Sequence, residues 1–343
     1  MRRRVVLVVA VGAGVALGPV QVLASPAAST SVAAPASARS EQQAIALLEA
    51  AALAGRSLTY TGTQYVATWS GRDSDSALAE VAHDAEGGSV VTTPASAAAP
   101  PVPMTATVDR RLLGLLAASY ELVVAAPGRC AGRTTDVVEA YRPEGTLAGR
   151  FWLDKDSGLL LRREVFDEAG RRIRSSAFLD LQVTGAGSPT PAPPGPAGKV
   201  SPSPEQLRAD GWQVPPDLPA GFELFDARLS VPVPGEQVLH LAYSDGLSTL
   251  SLFAQGGRLG TEPPVGFTAE QVDSRPVWVR SGAPERVVWS GGGRVWTLVS
   301  DASPQTVRAA VEALPRDPAP QQGLVPRLGR GASRMLEMVN PFG

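Results

Sequence analysis

The chain has 343 residues, of which 44% are hydrophobic, 19% charged and 6% aromatic, and its formal net charge is −2. That length is enough for two domains. Without an excess of basic residues the chain does not have the composition of a nucleic-acid binder. Two histidines and a single cysteine, Cys130, cannot assemble a zinc site of Cys and His ligands or an internal disulfide. Only a metal site built from carboxylates stays open, and we predict no cofactor.

The N-terminus has the pattern of an export signal. Residues 2–4 are arginines, residues 5–17 form an apolar run, and residues 22–24, Val-Leu-Ala, are small or permitted before a cleavage position after Ala24. The run is shorter than the roughly 20 residues that a membrane-spanning helix needs. We predict a cleaved signal peptide over residues 1–24 and a mature chain in the periplasm or cell-wall space. An uncleaved anchor is the alternative.

The chain before residue 185 predicts a helix followed by an antiparallel meander. Residues 25–40, rich in Ala, Ser and Pro, predict a disordered lead-in. Ser40 and Gln43 fit the cap of a helix over residues 41–55. A short helix is predicted over residues 111–118. The predicted strands cover residues 58–69, 120–125, 134–142, 149–154, 159–167 and 172–183. We assign residues 41–184 to one domain.

A linker separates this domain from a second one. Seven of the 20 residues 185–204 are prolines, which is typical of a semi-stiff interdomain linker. Residues 205–315 predict a second domain of short strands with a closing helix, whose cap is Ser303 or Asp301 and whose first turn holds Pro304. Residues 316–343 form a separate tail.

Few patterns in the chain point to catalysis. Residues 154–158 resemble the start of a calcium loop, but Val165 stands where that loop requires a bidentate carboxylate, so they predict a hairpin turn. Residues 244–248 place a serine near His240, yet they lack the Gly-x-Ser-x-Gly elbow, so they predict an Asp-Gly hairpin turn rather than a nucleophile. Cys130 is expected to be a small buried residue rather than a redox sensor. We predict that the protein is not an enzyme and name no catalytic, cofactor-binding or metal-binding residue.

The tail has the pattern of an amphipathic helix. Apolar residues recur at helical spacing between Leu324 and Val339, interleaved with arginines. Such a segment binds a membrane surface, docks on a partner or packs on its own domain, and periodicity does not choose among these. The candidate partner-contacting residues are Leu328, Arg330, Arg334, Met335 and Leu336.

Several segments resemble the MucB/RseB family of extracytoplasmic sigma-factor regulators. In the first domain the resemblance lies in residues 57–62, 129–133, 141–143, 151–162 and 166–170. In the second it lies in residues 211–212, 218–222, 304–307 and above all in the run 240–253, His-Leu-Ala-Tyr-Ser-Asp-Gly-Leu-Ser-Thr-Leu-Ser-Leu-Phe. Together these segments extend over most of residues 41–315.

The resemblance implies an α+β fold. It consists of an N-terminal antiparallel half-barrel, similar to lipoprotein carriers, with a helix covering its concave side, and a smaller α+β C-terminal domain. A curved apolar sheet face suits acyl chains, since each buried methylene contributes about 0.8 kcal/mol. The candidate lipid-facing residues are Trp69, Trp152, Leu160 and Phe178, which also fit an ordinary core.

The resemblance also implies a non-enzymatic role in binding. The family binds the extracytoplasmic part of a membrane-spanning anti-sigma factor and shields it from proteolysis, and a lipid entering the half-barrel favours release. The main alternative is a lipid or lipoprotein carrier that uses the half-barrel alone. The second domain favours the regulator, because simple carriers lack it. A hydrolase is a more distant alternative.

Overall fold

Two eight-stranded antiparallel sheets make up most of the described chain. The computed structural model describes residues 38–70, 73–86, 88–92, 110–186, 202–233, 236–260, 262–282 and 284–318. The predicted export signal with Ala24, the lead-in up to residue 37 and the linker residues 187–201 lie outside these ranges. So do the five tail candidates Leu328, Arg330, Arg334, Met335 and Leu336.

The first sheet and its helices form what we call the N-terminal module. In chain order it contains α1 (Ala38–Ser57), β1 (Leu58–Ser70), β2 (Asp73–Asp84), β3 (Gly88–Thr92), α2 (Arg110–Ser119), β4 (Glu121–Cys130), β5 (Arg133–Tyr141), β6 (Leu147–Asp154), β7 (Leu160–Phe166) and β8 (Arg172–Ala186). The strand order is β3-β2-β1-β8-β7-β6-β5-β4.

The second sheet and its helices form the C-terminal module. It contains α3 (Pro204–Ala209), β9 (Asp217–Leu218), β10 (Phe222–Val233), β11 (Glu236–Ser244), β12 (Thr249–Gly256), β13 (Thr268–Val272), β14 (Arg275–Arg280), β15 (Glu285–Gly291), β16 (Arg294–Ser300) and α4 (Pro304–Glu312). The strand order is β13-β14-β15-β16-β12-β11-β10-β9. Two antiparallel sheets with separate helices confirm the predicted α+β class.

The first sheet curls so that its β4 edge approaches β8. The Cys130 thiol on β4 lies 3.6 Å from the carbonyl oxygen of Leu161 on β7 and 3.7 Å from that of Phe178 on β8. Three strands separate β4 from β8 in the sheet order, so only a strongly curved sheet allows these contacts. Helix α1 lies in the resulting concavity against β4, β5 and β6 and buries Ala44 and Leu48 there.

Helix α1 begins and ends outside its predicted limits. It starts at Ala38, so Ser40 lies inside the first turn rather than at the cap. It continues past Gly55 to Ser57, whose hydroxyl donates a 2.9 Å hydrogen bond to the carbonyl of Leu53. That bond satisfies one of the backbone carbonyls that have no partner at the end of a helix. The helix therefore ends without the glycine cap that was predicted at Gly55.

Strands β2 and β3 carry no strong sequence pattern. β2 is rich in Asp, Ser and Ala, which have low strand propensity, yet it pairs with β1 from Asp73 to His83. Along it Ala79, Val81 and His83 are buried, while the residues between them are exposed. Tertiary pairing with an established strand therefore overrides the weak local preference.

The closing helix of the C-terminal module, α4, is capped by Ser303, one of the two cap residues that the sequence predicts. Ser303 is the N-cap of α4, its hydroxyl accepts a hydrogen bond from the amide of Thr306, and Pro304 occupies the first turn. Val307 and Val311 on this helix are buried in the core with Trp289 and Trp296 of the sheet. Asp301 has a different role, described below.

Residues just after α4 seal the β15–β16 hairpin. The carbonyl of Pro315 accepts a 2.9 Å hydrogen bond from the Trp289 indole, and the amide of Asp317 donates to the carbonyl of Ser290. Arg316, which the sequence places at the start of the tail, donates to the carbonyl of Val272. A Cβ added at Gly291 would lie 1.9 Å from the Pro315 oxygen, so only glycine permits this approach.

We predict that Gly291→Ala lowers the free energy of unfolding by about 1–3 kcal/mol, because the added methyl group must push the 315–317 segment off the hairpin. The measurement is urea denaturation followed by tryptophan fluorescence. Gly256→Ala is the matched control, since a Cβ at Gly256 meets nothing within 4 Å. Equal effects of the two substitutions would contradict the packing.

Candidate functional site

The turn between β11 and β12, residues 245–248, is the centre of the contact between the two modules. Within the turn one oxygen of Asp245 accepts hydrogen bonds from the amides of Leu247, at 2.8 Å, and Ser248, at 2.6 Å. The hydroxyl of Ser244 accepts from the amide of Gly246 and donates to the carbonyl of Ser248. These local bonds fix the turn in one conformation, as Asp and Ser side chains commonly do.

Two polar side chains of the N-terminal module hold the turn. The Tyr120 hydroxyl donates a 2.6 Å hydrogen bond to the second oxygen of Asp245. The Arg163 guanidinium donates to the carbonyl of Leu247. The buried Asp245 carboxylate therefore has three donors, two from its own turn and one from the other module. A buried carboxylate needs such partners, because an unpaired one costs several kcal/mol.

The side chain of Leu247 is part of the N-terminal module's hydrophobic core. It is only 3% exposed and lies in the same buried cluster as Leu116 of α2 and Phe151 of β6. A Cβ added at Gly149 would lie 2.7 Å from Leu247 Cδ1, and one added at Gly246 would lie 2.2 Å from the amide nitrogen of Leu116. Glycine at both positions lets the turn approach the sheet and α2 this closely.

Further polar contacts surround the turn. Arg174 of β8 forms an ion pair with Asp301, whose other oxygen accepts a 3.0 Å hydrogen bond from the amide of Thr249. Glu168 accepts hydrogen bonds from the hydroxyls of Ser303, at 2.8 Å, and Thr306, at 2.9 Å. The N-terminus of α4 is thus tied to the β7–β8 turn, where a carboxylate is also favoured by the helix dipole.

A last contact joins α2 to the second sheet. Arg111 donates hydrogen bonds to the backbone carbonyls of Leu224 and Phe225 on β10. Every polar contact named so far between the modules uses a residue of α2, β7, β8 or the turns next to them on the N-terminal side. Together with Gly149 of β6, which faces Leu247, these elements form the N-terminal side of the interface.

The ionisable groups of the interface are shifted by burial. Burial raises the pKa of Asp245 above its usual range, although three hydrogen bonds oppose the shift. Burial, and next the charge of Asp245, raise the pKa of the Tyr120 phenol well above its ordinary value, so it stays a donor. Burial, and next the neighbouring Arg174, lower the pKa of Arg163 to about 10. Arg163 still carries its charge at neutral pH.

The four candidate lipid-facing residues lie on two different faces of the first sheet. Leu160 and Phe178 belong to the buried cluster on the concave face under α1. Trp152 pairs with Val137 and lies outside this cluster, whereas the adjacent Phe151 belongs to it. Because successive side chains of a strand point to opposite faces, Trp152 lies on the convex face. The four residues therefore do not form one surface.

Trp69 and Trp152 share the convex face with a row of charged side chains. The guanidinium of Arg172 lies 4.6 Å from the Trp69 ring centroid, and that of Arg162 lies 4.5 Å from the Trp152 centroid. Both arginines bond to Glu164, at 2.7 and 2.5 Å. We call Trp69, Arg172, Glu164, Arg162 and Trp152 the convex ladder. Stacked guanidiniums cover both indoles while keeping their own charge near water.

The concave face carries one unexplained polar side chain. Gln64 of β1 is fully buried, and within the described residues neither amide atom has a hydrogen-bond partner. Nearby, burial raises the pKa of the Cys130 thiol, and the thiol donates weakly to two backbone carbonyls. A protonated thiol in this setting is a poor nucleophile. Cys130 packs against the core but is half-buried rather than buried as expected.

The motifs considered for chemistry have structural roles. Asp154 accepts from Arg133 and from Ser157 within the β6–β7 turn. His240 stacks on Phe253 at 4.4 Å, and burial lowers its pKa. Among the described residues there is no group of three or more His, Cys, Asp or Glu side chains able to hold a metal ion. A separate search of the same residues finds no helix long and apolar enough to cross a membrane.

No pattern in the sequence identifies Tyr120, Arg163 and Asp245 as interface residues. The run 240–253 stands out by its resemblance, and its residues 244–248 predict a hairpin turn, which they form. A turn rich in Asp, Gly and Ser normally faces water. Leu247 at the tip of this turn is the one residue whose type indicates burial against another part of the protein. An aliphatic residue at the tip of a polar turn indicates a contact that a sequence cannot locate.

These contacts define an α+β protein in which one antiparallel-sheet module inserts a turn into the core of another. Residues 89–196 match the family model described as the MucB/RseB N-terminal domain. Over these residues the chain is similar to that domain, which confirms the resemblance seen in the sequence. No curated protein matches the chain closely enough to count as a relative.

Solved structures show more distant likenesses. A chain of the Pseudomonas aeruginosa MucA/MucB complex is 23% identical, with 81% of this chain and 100% of that chain covered and a TM-score of 0.43. MucB in complex with MucA(peri) is 22% identical, with 78% and 97% covered and a TM-score of 0.42. A LolA superfamily protein from Nitrosomonas europaea is 10% identical, with 41% and 94% covered and a TM-score of 0.19. None of these likenesses is close enough to assign a function.

We predict that Tyr120→Phe lowers the free energy of unfolding by about 1–3 kcal/mol, because the buried Asp245 carboxylate loses a donor that water cannot replace. Urea denaturation measures the loss. Tyr141→Phe is the control: its hydroxyl also donates to a carboxylate, that of Glu139, but at a less buried position. A loss from Tyr141→Phe as large as that from Tyr120→Phe would contradict the interface role.

The convex ladder should make stability depend on pH through Glu164. Burial alone would raise the pKa of this carboxyl, but hydrogen bonds from Arg162 and Arg172 outweigh it and hold the pKa below its usual value. A lowered folded-state pKa gives stability that is present above the unfolded pKa of about 4.3 and lost as the pH falls through the folded value.

We therefore predict that Glu164→Gln is less stable than the parent at pH 7, by about 1–3 kcal/mol, and that the difference shrinks below about pH 4. Urea denaturation at pH 7 and pH 3 tests this. Glu80→Gln, at an exposed position of β2, is the control and should show little difference at either pH. A difference for Glu164→Gln that stays constant or grows in acid would refute the role of the ladder.

Proposed function

We propose that this chain is a non-enzymatic extracytoplasmic regulator, which binds the extracytoplasmic part of a membrane-spanning anti-sigma factor and controls its proteolysis. The observation that carries this proposal is the match of residues 89–196 to the MucB/RseB N-terminal domain. The resemblance of residues 240–253 to the family extends the argument to the second module. MucB itself has been solved in complex with MucA(peri).

The arrangement of the modules supports a binding role. The matched segment contains four residues that contact the C-terminal module. Tyr120 bonds to Asp245, Glu168 to Ser303 and Arg174 to Asp301. Arg163 donates to the carbonyl of Leu247 in the β11–β12 turn. A partner polypeptide that contacts both modules recognises one relative arrangement of them. Its affinity then depends on how strongly the interface favours that arrangement.

Protection from a protease follows from binding alone. A cleavage site is shielded for the fraction of time that the partner is bound, and that fraction is set by the regulator concentration relative to the dissociation constant. A lipid that prefers the unbound arrangement lowers this fraction, and the partner must lower the affinity for lipid by the same factor. In this proposal Leu160 and Phe178, on the concave face, contact the lipid.

Export is part of the proposal. We place the mature chain outside the cytoplasmic membrane after removal of residues 1–24, with domains over residues 41–184 and 205–315 joined by the 185–204 linker. The tail supplies an additional contact to the partner or to the membrane surface through Leu328, Arg330, Arg334, Met335 and Leu336. Its arginines suit anionic lipids, and its apolar residues suit a groove on a protein.

The test is a binding and protection assay. The exported chain is mixed with the extracytoplasmic segment of the anti-sigma factor whose gene neighbours this one, and we expect co-elution and slower cleavage of that segment by a site-specific protease. Tyr120→Phe should weaken protection, whereas Tyr141→Phe should leave it unchanged. Recovery of the chain with bound lipid, together with no binding of the segment, would instead favour the carrier.

A further inference from the structure

Two arginines of the C-terminal sheet, Arg280 of β14 and Arg286 of β15, lie directly opposite each other. Directly opposite residues of an antiparallel pair have Cβ atoms about 5 Å apart, so the two guanidinium groups extend from neighbouring points of one face. Like charges in this arrangement repel each other and destabilise the sheet. We call these two residues the arginine pair.

No carboxylate of the described chain neutralises the arginine pair. Among the described residues, neither guanidinium forms an ion pair or a hydrogen bond. The convex ladder is built differently, because Arg162 and Arg172 there share the carboxylate of Glu164. The arginine pair therefore has the repulsion of two neighbouring cations without the anion that offsets it in the ladder.

The carboxylates on the adjacent strands lie on the opposite face of the sheet. Glu285 precedes Arg286 and therefore points to the other side, and Glu270 of β13 pairs with Val277, which belongs to the core beneath α4. Glu285 is influenced there by Glu270 and by Arg308 of α4. The face that carries the arginine pair is thus left with its positive charge.

The charges acting on Arg286 agree with this geometry. Burial, and next the charge of Arg280, lower the pKa of Arg286, which is half-buried, whereas Arg280 is exposed. At the other buried arginine next to a cation, Arg163, the carboxylates of Asp301 and Asp245 act in the opposite direction. An arginine keeps its charge at neutral pH, so the repulsion in the pair is relieved only by an anion.

The arginine pair lies close to the contact between the two modules. Arg286 is directly opposite Val299 of β16, and two residues further along the chain Asp301 pairs with Arg174 of the N-terminal module. Strand spacing and rise place the backbones of Arg286 and Asp301 within about 10 Å of each other. A polypeptide bound at the pair can therefore continue onto both modules.

We propose that Arg280 and Arg286 bind the carboxylates of an acidic segment of a polypeptide partner. A guanidinium binds a carboxylate through two parallel hydrogen bonds, and two such groups at directly opposite positions hold one carboxylate or two neighbouring ones. This inference rests on the proposed function and deepens it. It gives the partner a chemistry, namely aspartate or glutamate residues where it meets the C-terminal module.

An anionic membrane suits this position less well than an acidic polypeptide. Membrane surfaces attract clusters of roughly four to eight basic residues. Here two arginines face each other on a chain whose formal net charge is −2. A polypeptide carboxylate requires no such cluster, because it binds through the geometry of the two guanidinium groups.

Stability and binding should respond in opposite directions to changes at Arg280. Glutamine at this position removes the repulsion and one of the two guanidinium groups, so the fold is not weakened while the affinity for the acidic segment falls. Glutamate creates an opposite-charge pair with Arg286 across the two strands, so the fold is stabilised and the site is filled by its own chain. A merely structural role of Arg280 would lower stability in both variants.

The experiment uses the exported chain with labelled hexaglutamate and labelled hexaglutamine, followed by fluorescence anisotropy at about 0.1 M salt, where charges more than about 10 Å apart are screened. We expect the parent to bind hexaglutamate and not hexaglutamine. Arg280→Gln and Arg286→Gln should each weaken hexaglutamate binding about tenfold. Arg280→Glu should abolish it and raise the urea denaturation midpoint by about 0.2 M.

Arg308→Gln is the matched control. It removes the same charge from an exposed position of α4 on the other face of the sheet, and it should bind hexaglutamate as the parent does. A cooperative urea transition in each variant shows that the variant is folded.

Five results would overturn the proposal. They are absence of hexaglutamate binding by the parent, an equal loss in Arg308→Gln, a lower urea midpoint for Arg280→Glu, displacement of the label by inorganic phosphate as effectively as by unlabelled hexaglutamate, and binding to phosphatidylglycerol vesicles that depends on Arg280. The second would report a general effect of charge. The fourth would assign the pair to a small anion, and the fifth to a membrane surface.

Binding of the anti-sigma segment is measured on the same variants. An affinity for Arg280→Gln about tenfold weaker than for the parent supports the inference. Unchanged segment binding by Arg280→Gln overturns it and leaves the proposed function standing. Absence of segment binding by the parent, with hexaglutamate binding intact, removes the anti-sigma partner and supports an acidic-peptide site for another polypeptide.

Discussion

The burial of the β11–β12 turn against α2 and the first sheet is the interaction on which the arrangement of the molecule depends. It places a carboxylate, Asp245, in a setting that water does not reach, and that carboxylate is tolerated because two turn amides and the Tyr120 hydroxyl surround it. The Leu247 side chain fills the core of the other module at the same time. Apolar burial and polar pairing are lost together if the turn withdraws, so the interface opens as a unit rather than contact by contact.

The two faces of the first sheet divide their chemistry in a way that follows from strand geometry. Alternate side chains of β6 and β7 point to opposite sides. The concave side carries aliphatic and aromatic residues under α1, whereas the convex side carries the ladder that runs from Trp69 to Trp152. Guanidinium groups shield the indoles without burying uncompensated charge, because Glu164 pairs with two of them. A face of this kind is stable in water.

The proposed regulation by binding requires two arrangements of the modules with similar free energy. Within the part of the chain that the structure describes, the named polar contacts between the modules surround the buried Leu247 side chain. In the proposed function, a partner that binds the docked arrangement and a lipid that prefers the unbound one act on the same equilibrium. Neither requires a reactive group, and the serine, histidine and aspartate residues that resemble catalytic motifs serve turns and stacking instead.

The sequence by itself determined the strands from β5 to β8 and narrowed the cap of α4 to Ser303 or Asp301, because these depend on local periodicity and turn residues. Its short motifs carried the MucB/RseB resemblance, and that resemblance implied the α+β class. It did not determine β2, whose strand state comes from pairing with β1, or the face on which Trp152 lies, because a one-residue change of register would reverse it. Only the tertiary structure brought Tyr120, Arg163 and Asp245 together. They lie far apart in the chain, and which buried polar groups become partners is decided by how the two modules dock, which no local pattern encodes.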